Sequence, residues 1–241
     1  MRWTIFLALP LMASDSFSER MLDSKLNSTQ RNDACFSVRG DSSAAAVEAN
    51  AKALRDPKVR SCAEENLRRA GAIEPLKAAL RDEDSEVRAV AARVLGTFER
   101  PELAPLIAKA GEDSQMLVAT NAIEGLSYYR DRTAAPYLLV LAKKTGIVGS
   151  LAIEQLIKMK EPGTLDLGRE LIKSSEPADL LAAMRVLGSM GDARDIPALE
   201  RVAKAHADPL STSSGRGFGL MPAITLDRAA KSSIEQIRSR Q

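Results

Sequence analysis

Apolar side chains return at the same phase roughly every 30 residues along this chain, and that period limits its fold more than any other feature. Leu95, Leu126, Leu156 and Leu187 form one column, and Ala91, Ala122, Ala152 and Ala183 a second. Ala92, Ile123, Ile153 and Met184 form a third. Upstream in each period, Leu76, Leu106, Tyr137, Leu167 and Ala198 line up, as do Leu80, Ala110, Leu141, Leu171 and Val202. Prolines follow the same register at Pro75, Pro105, Pro136 and Pro197, with Asp166 in the vacant slot.

Within a period, Leu76 and Leu80 stand four apart, and so do Ala91 and Leu95, which is the spacing of one face of a helix. Each period therefore predicts two helices. The column proline falls in the first turn of the first helix, where its missing N–H costs nothing. Asp82, Asp84 and Ser85 interrupt the pattern and can cap the second helix, and Gly96 or Gly188 is expected to close it. The small alanine column lets paired helices approach closely while Leu and Ile fill the space between layers. One hairpin cannot cover both of its apolar faces, so it must stack on neighbours. The expected fold is all-α: an α-solenoid, or superhelix, of about five to six antiparallel two-helix repeats. Composition agrees, since aromatics are 4% of the chain and the hydrophobic share of 45% is carried largely by Ala and Leu, a mix suited to close-packed helices rather than sheets.

At the amino terminus, Arg2 precedes an apolar run from Trp3 to Met12, and small and polar residues follow from Ala13. This reads as a secretory signal cleaved near Ala13. The run is well short of the about 20 residues that span a bilayer. The division expected is a signal at 1–13, a polar leader at 14–40 with a short helix opening at a capping box of Ser16 and Glu19, and the repeat array at 41–241. Its hairpins are placed at 41–71, 72–99, 100–130, 131–160 and 161–191, and a last one at 192–241 carries a loop insertion at 208–222. In an exported chain, Cys35 and Cys62 can form a disulfide that ties the leader to the first hairpin.

Residues 72–99 resemble a HEAT-like repeat of the bacterial kind also found in phycobilisome lyases. Pro75-Leu76, Asp82, Asp84, Val87-Arg88, Ala91-Ala92 and Leu95-Gly96 carry the likeness. Val59-Arg60 repeats its Val-Arg element. The resemblance implies a binding scaffold and leaves the partner open.

Chemistry is sparse. A single histidine and two cysteines argue against a structural zinc site, a histidine-based triad or a multi-histidine iron centre. Repeat-built diiron hydroxylases share this kind of fold but need several His-Glu pairs. No catalytic, metal or cofactor residues are expected. The formal net charge is +2, with Lys and Arg interspersed among Asp and Glu, so nucleic acid is not an expected partner.

The candidate binding surface is the concave face of the second helices. The register brings Arg93, Glu124, Glu154 and Arg185 to equivalent positions, which pairs Arg93 with Glu124 and Glu154 with Arg185. Such a row can set register for a protein partner. It can also be a surface charge ladder, the plainer reading, each pair contributing about 0–1 kcal/mol. Ala89, Thr120 and Ser150 would give the groove a smooth floor. The second candidate is the Gly/Ser-rich loop, with Arg216 and Phe218 between glycines, read as a flexible insertion, a partner contact or an anion site. The sequence thus predicts an exported, non-enzymatic scaffold for another protein. The alternative is a lyase or lyase subunit of the kind that shares these repeats.

Overall fold

A computed structural model of the chain describes the backbone of residues 9–144, 146–207 and 225–241, and side chains from residue 16 onward in those ranges. All regular structure among them is helical. The chain divides into two compact units, the first ending at Tyr137 and the second starting at Leu138.

The first unit holds α1 (Leu9–Leu22), α2 (Ser28–Ser37), α3 (Ala44–Ala53), α4 (Arg60–Arg69), α5 (Ile73–Ala79), α6 (Ser85–Gly96), α7 (Ala104–Ala110) and α8 (Met116–Ser127), and ends inside α9 (Ala135–Leu141). The stretch expected to be a polar leader is thus mostly helical. Ser16 lies inside α1 and caps nothing; the capping box forms instead at Asn27 and Gln30, at the head of α2. Residues 1–8 of the expected signal lie outside the described residues, and α1 runs past Ala13 without a break. Arg31 is buried and fixes this hairpin, donating from Nε to the Met21 carbonyl at 2.8 Å and pairing with Asp56 at 2.6 Å. The Sγ atoms of Cys35 in α2 and Cys62 in α4 are joined in a disulfide. Beside it, the buried Asn66 donates to Asn50 Oδ1 at 3.0 Å and to the Cys35 carbonyl at 2.9 Å, which satisfies amides that would otherwise be costly to bury.

The Val-Arg pairs have a clear structural use. Val59 and Val87 enter the core. Arg88 donates to the Asp82 carbonyl at 2.7 Å and reaches forward to Asp113 of the next hairpin at 2.9 Å. Arg60 does the same one repeat earlier, with the Leu54 carbonyl at 2.6 Å and Glu86. Each arginine satisfies its own inter-helix turn and clamps the following repeat. Asp84 caps α6 by accepting from Glu86 N at 2.9 Å.

The glycine expected to close α6 has another role. Gly96 is followed by Thr97 in ordinary right-handed geometry, so it is no left-handed terminator. A Cβ on Gly96 would lie 2.0 Å from the Gly125 carbonyl oxygen: α6 and α8 meet backbone to backbone. The first helices α5 and α7 are barely in contact, so in this unit the layers close up on the second-helix side.

In the second unit follow α10 (Gly146–Lys158), α11 (Pro162–Leu171), α12 (Pro177–Met190), α13 (Ile196–Ala205) and α14 (Leu226–Arg238). Leu180, Met184 and Leu187 of α12 share a core with Leu199 and Val202 of α13 and Ala230, Ile234 and Ile237 of α14. The loop expected at 208–222, with Arg216 and Phe218, lies outside the described residues.

All three second-helix columns are buried as expected. The first-helix column at Leu76 needs a correction. Leu76 and Leu167 are buried, but Leu106, Tyr137 and Ala198 are only half-buried, and the core positions there are Ile107, Leu138 and Leu199, one residue later. Those three helices, and not α5 or α11, are preceded by a 3₁₀ turn, at Pro101–Leu103, Arg132–Ala134 and Ala193–Asp195. A 3₁₀ turn winds three residues per turn, so the buried face arrives one position late.

Candidate functional site

On α8, Leu117, Asn121, Glu124 and Tyr128 follow one another at steps of four, three and four, and so share one face of the helix. That face is only partly covered by the rest of the unit: Asn121 and Tyr128 are half-buried, Leu117 and Glu124 exposed. Leu117 is 44% exposed and its neighbour Met116 is 61% exposed, a large apolar area for the first turn of a surface helix.

The polar part of the stripe is built around Arg93 of α6. Its Nη1 pairs with Glu64 Oε1 of α4 at 2.7 Å and its Nη2 donates to Glu64 Oε2 at 2.8 Å, a two-point contact. Its Nε donates to Asn121 Oδ1 at 3.1 Å and stands 4.0 Å from Glu124 Oε2. Asn121 is held in turn by donating to the Leu117 carbonyl at 2.8 Å, and the Tyr128 hydroxyl donates to Glu124 at 2.9 Å. Burial pulls the Arg93 guanidinium down, but the hydrogen bond and charge of Glu64 outweigh it, and its pKa lies above the ordinary arginine value. Burial and the hydrogen bond to Glu124 push the Tyr128 phenol up. Arg93 is therefore not a free outward cation but the knot of three successive second helices. Its pairing with Glu124 is present but longer than its pairing with Glu64, which sequence reasoning missed.

In the second unit the expected ladder does not close. Glu154 pairs with Lys158, one turn on in the same helix, at 2.9 Å. Lys158, and more weakly Arg185, hold its carboxyl below the usual range. Arg185 instead faces a recess of about 200 Å³ at the start of α10, bordered also by Lys143, Lys144 and Ser150. The expected smooth floor is not there either: Ala89 is in the core, Thr120 is half-buried, and Ser150 is exposed at the recess. Tyr128 and Asn121 were legible in principle, because they continue the helical spacing through Leu117 and Glu124. Glu64 was not, since its partner lies 29 residues away in a repeat whose register the divergent first hairpin blurs. Among the described residues, no group of three or more His, Cys, Asp or Glu side chains could hold a metal ion, and no helix is long and apolar enough to cross a membrane.

A family model described as HEAT repeats matches residues 73–148. One chain in the structure of the complex of CpcE and CpcF of phycocyanin lyase from Nostoc sp. PCC7120 is 17% identical over 100% of this chain and 100% of its own, at a TM-score of 0.44. Human deoxyhypusine hydroxylase is 15% identical over 96% of this chain and 99% of its own, at a TM-score of 0.39. A computationally designed armadillo repeat protein for modular peptide recognition is 16% identical over 92% of this chain and 99% of its own, at 0.42. No curated protein matches the sequence.

Proposed function

We propose that this chain, a HEAT-like repeat protein, is a non-enzymatic scaffold that binds another protein through the second-helix surface of its first unit. The observation that carries the reading is the stripe on α8. Leu117 and Met116 offer exposed apolar area, and Arg93, fixed by Glu64 and Asn121, presents a pre-organised polar border. An apolar centre with a fixed polar rim is what a protein partner needs, because little side-chain entropy is lost on docking. The reading includes export. The buried Cys35–Cys62 disulfide supports it, since such bonds persist in oxidising compartments. A chain recovered with Met1 intact and two titratable thiols contradicts that part.

The binding claim is tested by crosslinking the full chain to its partners and repeating the capture with Met116→Asp/Leu117→Asp. Both side chains face solvent, so the melting temperature should hold while the captured protein is lost. Undiminished capture by the variant would overturn the reading.

A further inference from the structure

A recess in the second unit combines apolar lining with unpaired cations. Its wall is apolar, from Ala142, Ile153, Leu171, Ala178 and Leu181, yet its mouth holds Lys143, Lys144 and Arg185. None of these three side chains has a hydrogen bond or ion pair among the described residues; Arg185 is near enough to Glu154 to help hold its carboxyl below the usual range. One acid borders the recess, Asp179, and it is engaged by the Ser174 hydroxyl at 2.7 Å. Arg88 is paired with Asp113 and Arg169 with Asp195, whereas the three cations that border this recess have no such partner among the described residues.

Their placement is fixed by the backbone. A Cβ on Gly149 would lie 1.8 Å from the Lys144 carbonyl oxygen, so the turn after α9 is folded back onto the first turn of α10. Only glycine permits that contact, and the contact sets the two lysines at the mouth. The N-terminal end of α10 adds potential of the same sign. Leu181 is 39% exposed and Ile147, in that first turn, 48%.

We propose that this recess docks a short acidic segment of a partner protein, with one apolar side chain inside the recess and flanking carboxylates on Lys143, Lys144 and Arg185. The volume is right for one such side chain, since a cavity of about 150 Å³ holds a benzene ring. The charge pattern sets the flanks. A nucleic acid is a poorer match, because its phosphates need an extended basic track and gain nothing from an apolar wall.

The test uses the full chain and fluorescein-labelled heptapeptides read by anisotropy. One peptide has a central leucine flanked by glutamates, one a central serine with the same flanks, and one a central leucine flanked by lysines. The leucine–glutamate peptide should bind saturably and more tightly than either of the others. Lys143→Glu/Lys144→Glu should weaken it about tenfold or more, with melting unchanged because both side chains are exposed. Leu181→Lys should weaken it as well. Absence of saturable binding, equal binding of the serine or lysine peptides, or affinity that survives the charge reversal would each overturn the proposal. So would tighter binding of a labelled single-stranded oligonucleotide.

Discussion

At Gly96 one methyl group decides how closely α6 and α8 can lie. Its Cβ position falls 2.0 Å from the carbonyl oxygen of Gly125, and a Cβ on Gly125 would fall 2.5 Å from the carbonyl oxygen of Ala92. Both obstacles are backbone, so no rotamer change relieves them. Replacing glycine by alanine inside a helix gains about 1 kcal/mol of propensity. Overpacking a tight contact costs about 1–3 kcal/mol, toward the upper end where backbone must move. The clash wins: Gly96→Ala should lower the unfolding free energy by about 1–2 kcal/mol. Urea titration measures it, and an unchanged or raised midpoint would show that the two helices do not touch there. The same closeness holds Arg93 within reach of Asn121, so the substitution should loosen the polar half of the α8 stripe too.

Helix α2 is tied to α4 by the disulfide, which closes a loop of 27 residues in sequence separation. A cross-link over that span stabilises by about 3 kcal/mol, chiefly by restricting the unfolded chain. Cys35→Ala/Cys62→Ala should therefore lose about that much in chemical denaturation, and reductant should lower the midpoint of the wild type but not of the variant. If reductant shifts both equally, the bond is not what holds the hairpin. The period in the sequence made the second helices legible nearly to the residue, because in those helices the apolar face runs without interruption. The first helices were legible only to one residue, since the 3₁₀ turns before α7, α9 and α13 shift the buried face and leave no separate mark in an Ala- and Leu-rich pattern. A short helix after Ser16 was legible, but α2 and the earlier start of α1 escaped, because burial there rests on polar anchors, Arg31 on the Met21 carbonyl and Asn66 on the Cys35 carbonyl, rather than on repeated leucines. Of the candidate site, Arg93 and Glu124 were legible from register. The lysines at the recess were not, because a turn carries no period.

Over the whole molecule, stability should be local, since a stacked hairpin interacts only with its neighbours. Leu126 is fully buried in α8, which packs on α6 and α7. Leu126→Asp puts a carboxylate there with no partner, at a cost that a single repeat cannot absorb. Hydrogen exchange should show protection lost in α6, α7 and α8. Protection should persist in α13 and α14, whose core is made with α12 from residues such as Leu187, Leu199 and Ile234. The functional consequence follows the same division. The variant should lose partner capture through the α8 stripe, because Glu64, Arg93 and Asn121 are aligned only while α4, α6 and α8 stay stacked. It should keep affinity for the leucine–glutamate peptide, whose recess is lined by residues from Ala142 to Arg185. Simultaneous loss of protection in α14 and of peptide binding would mean that the chain folds as one cooperative block. Two separable surfaces on one scaffold would then be the wrong description.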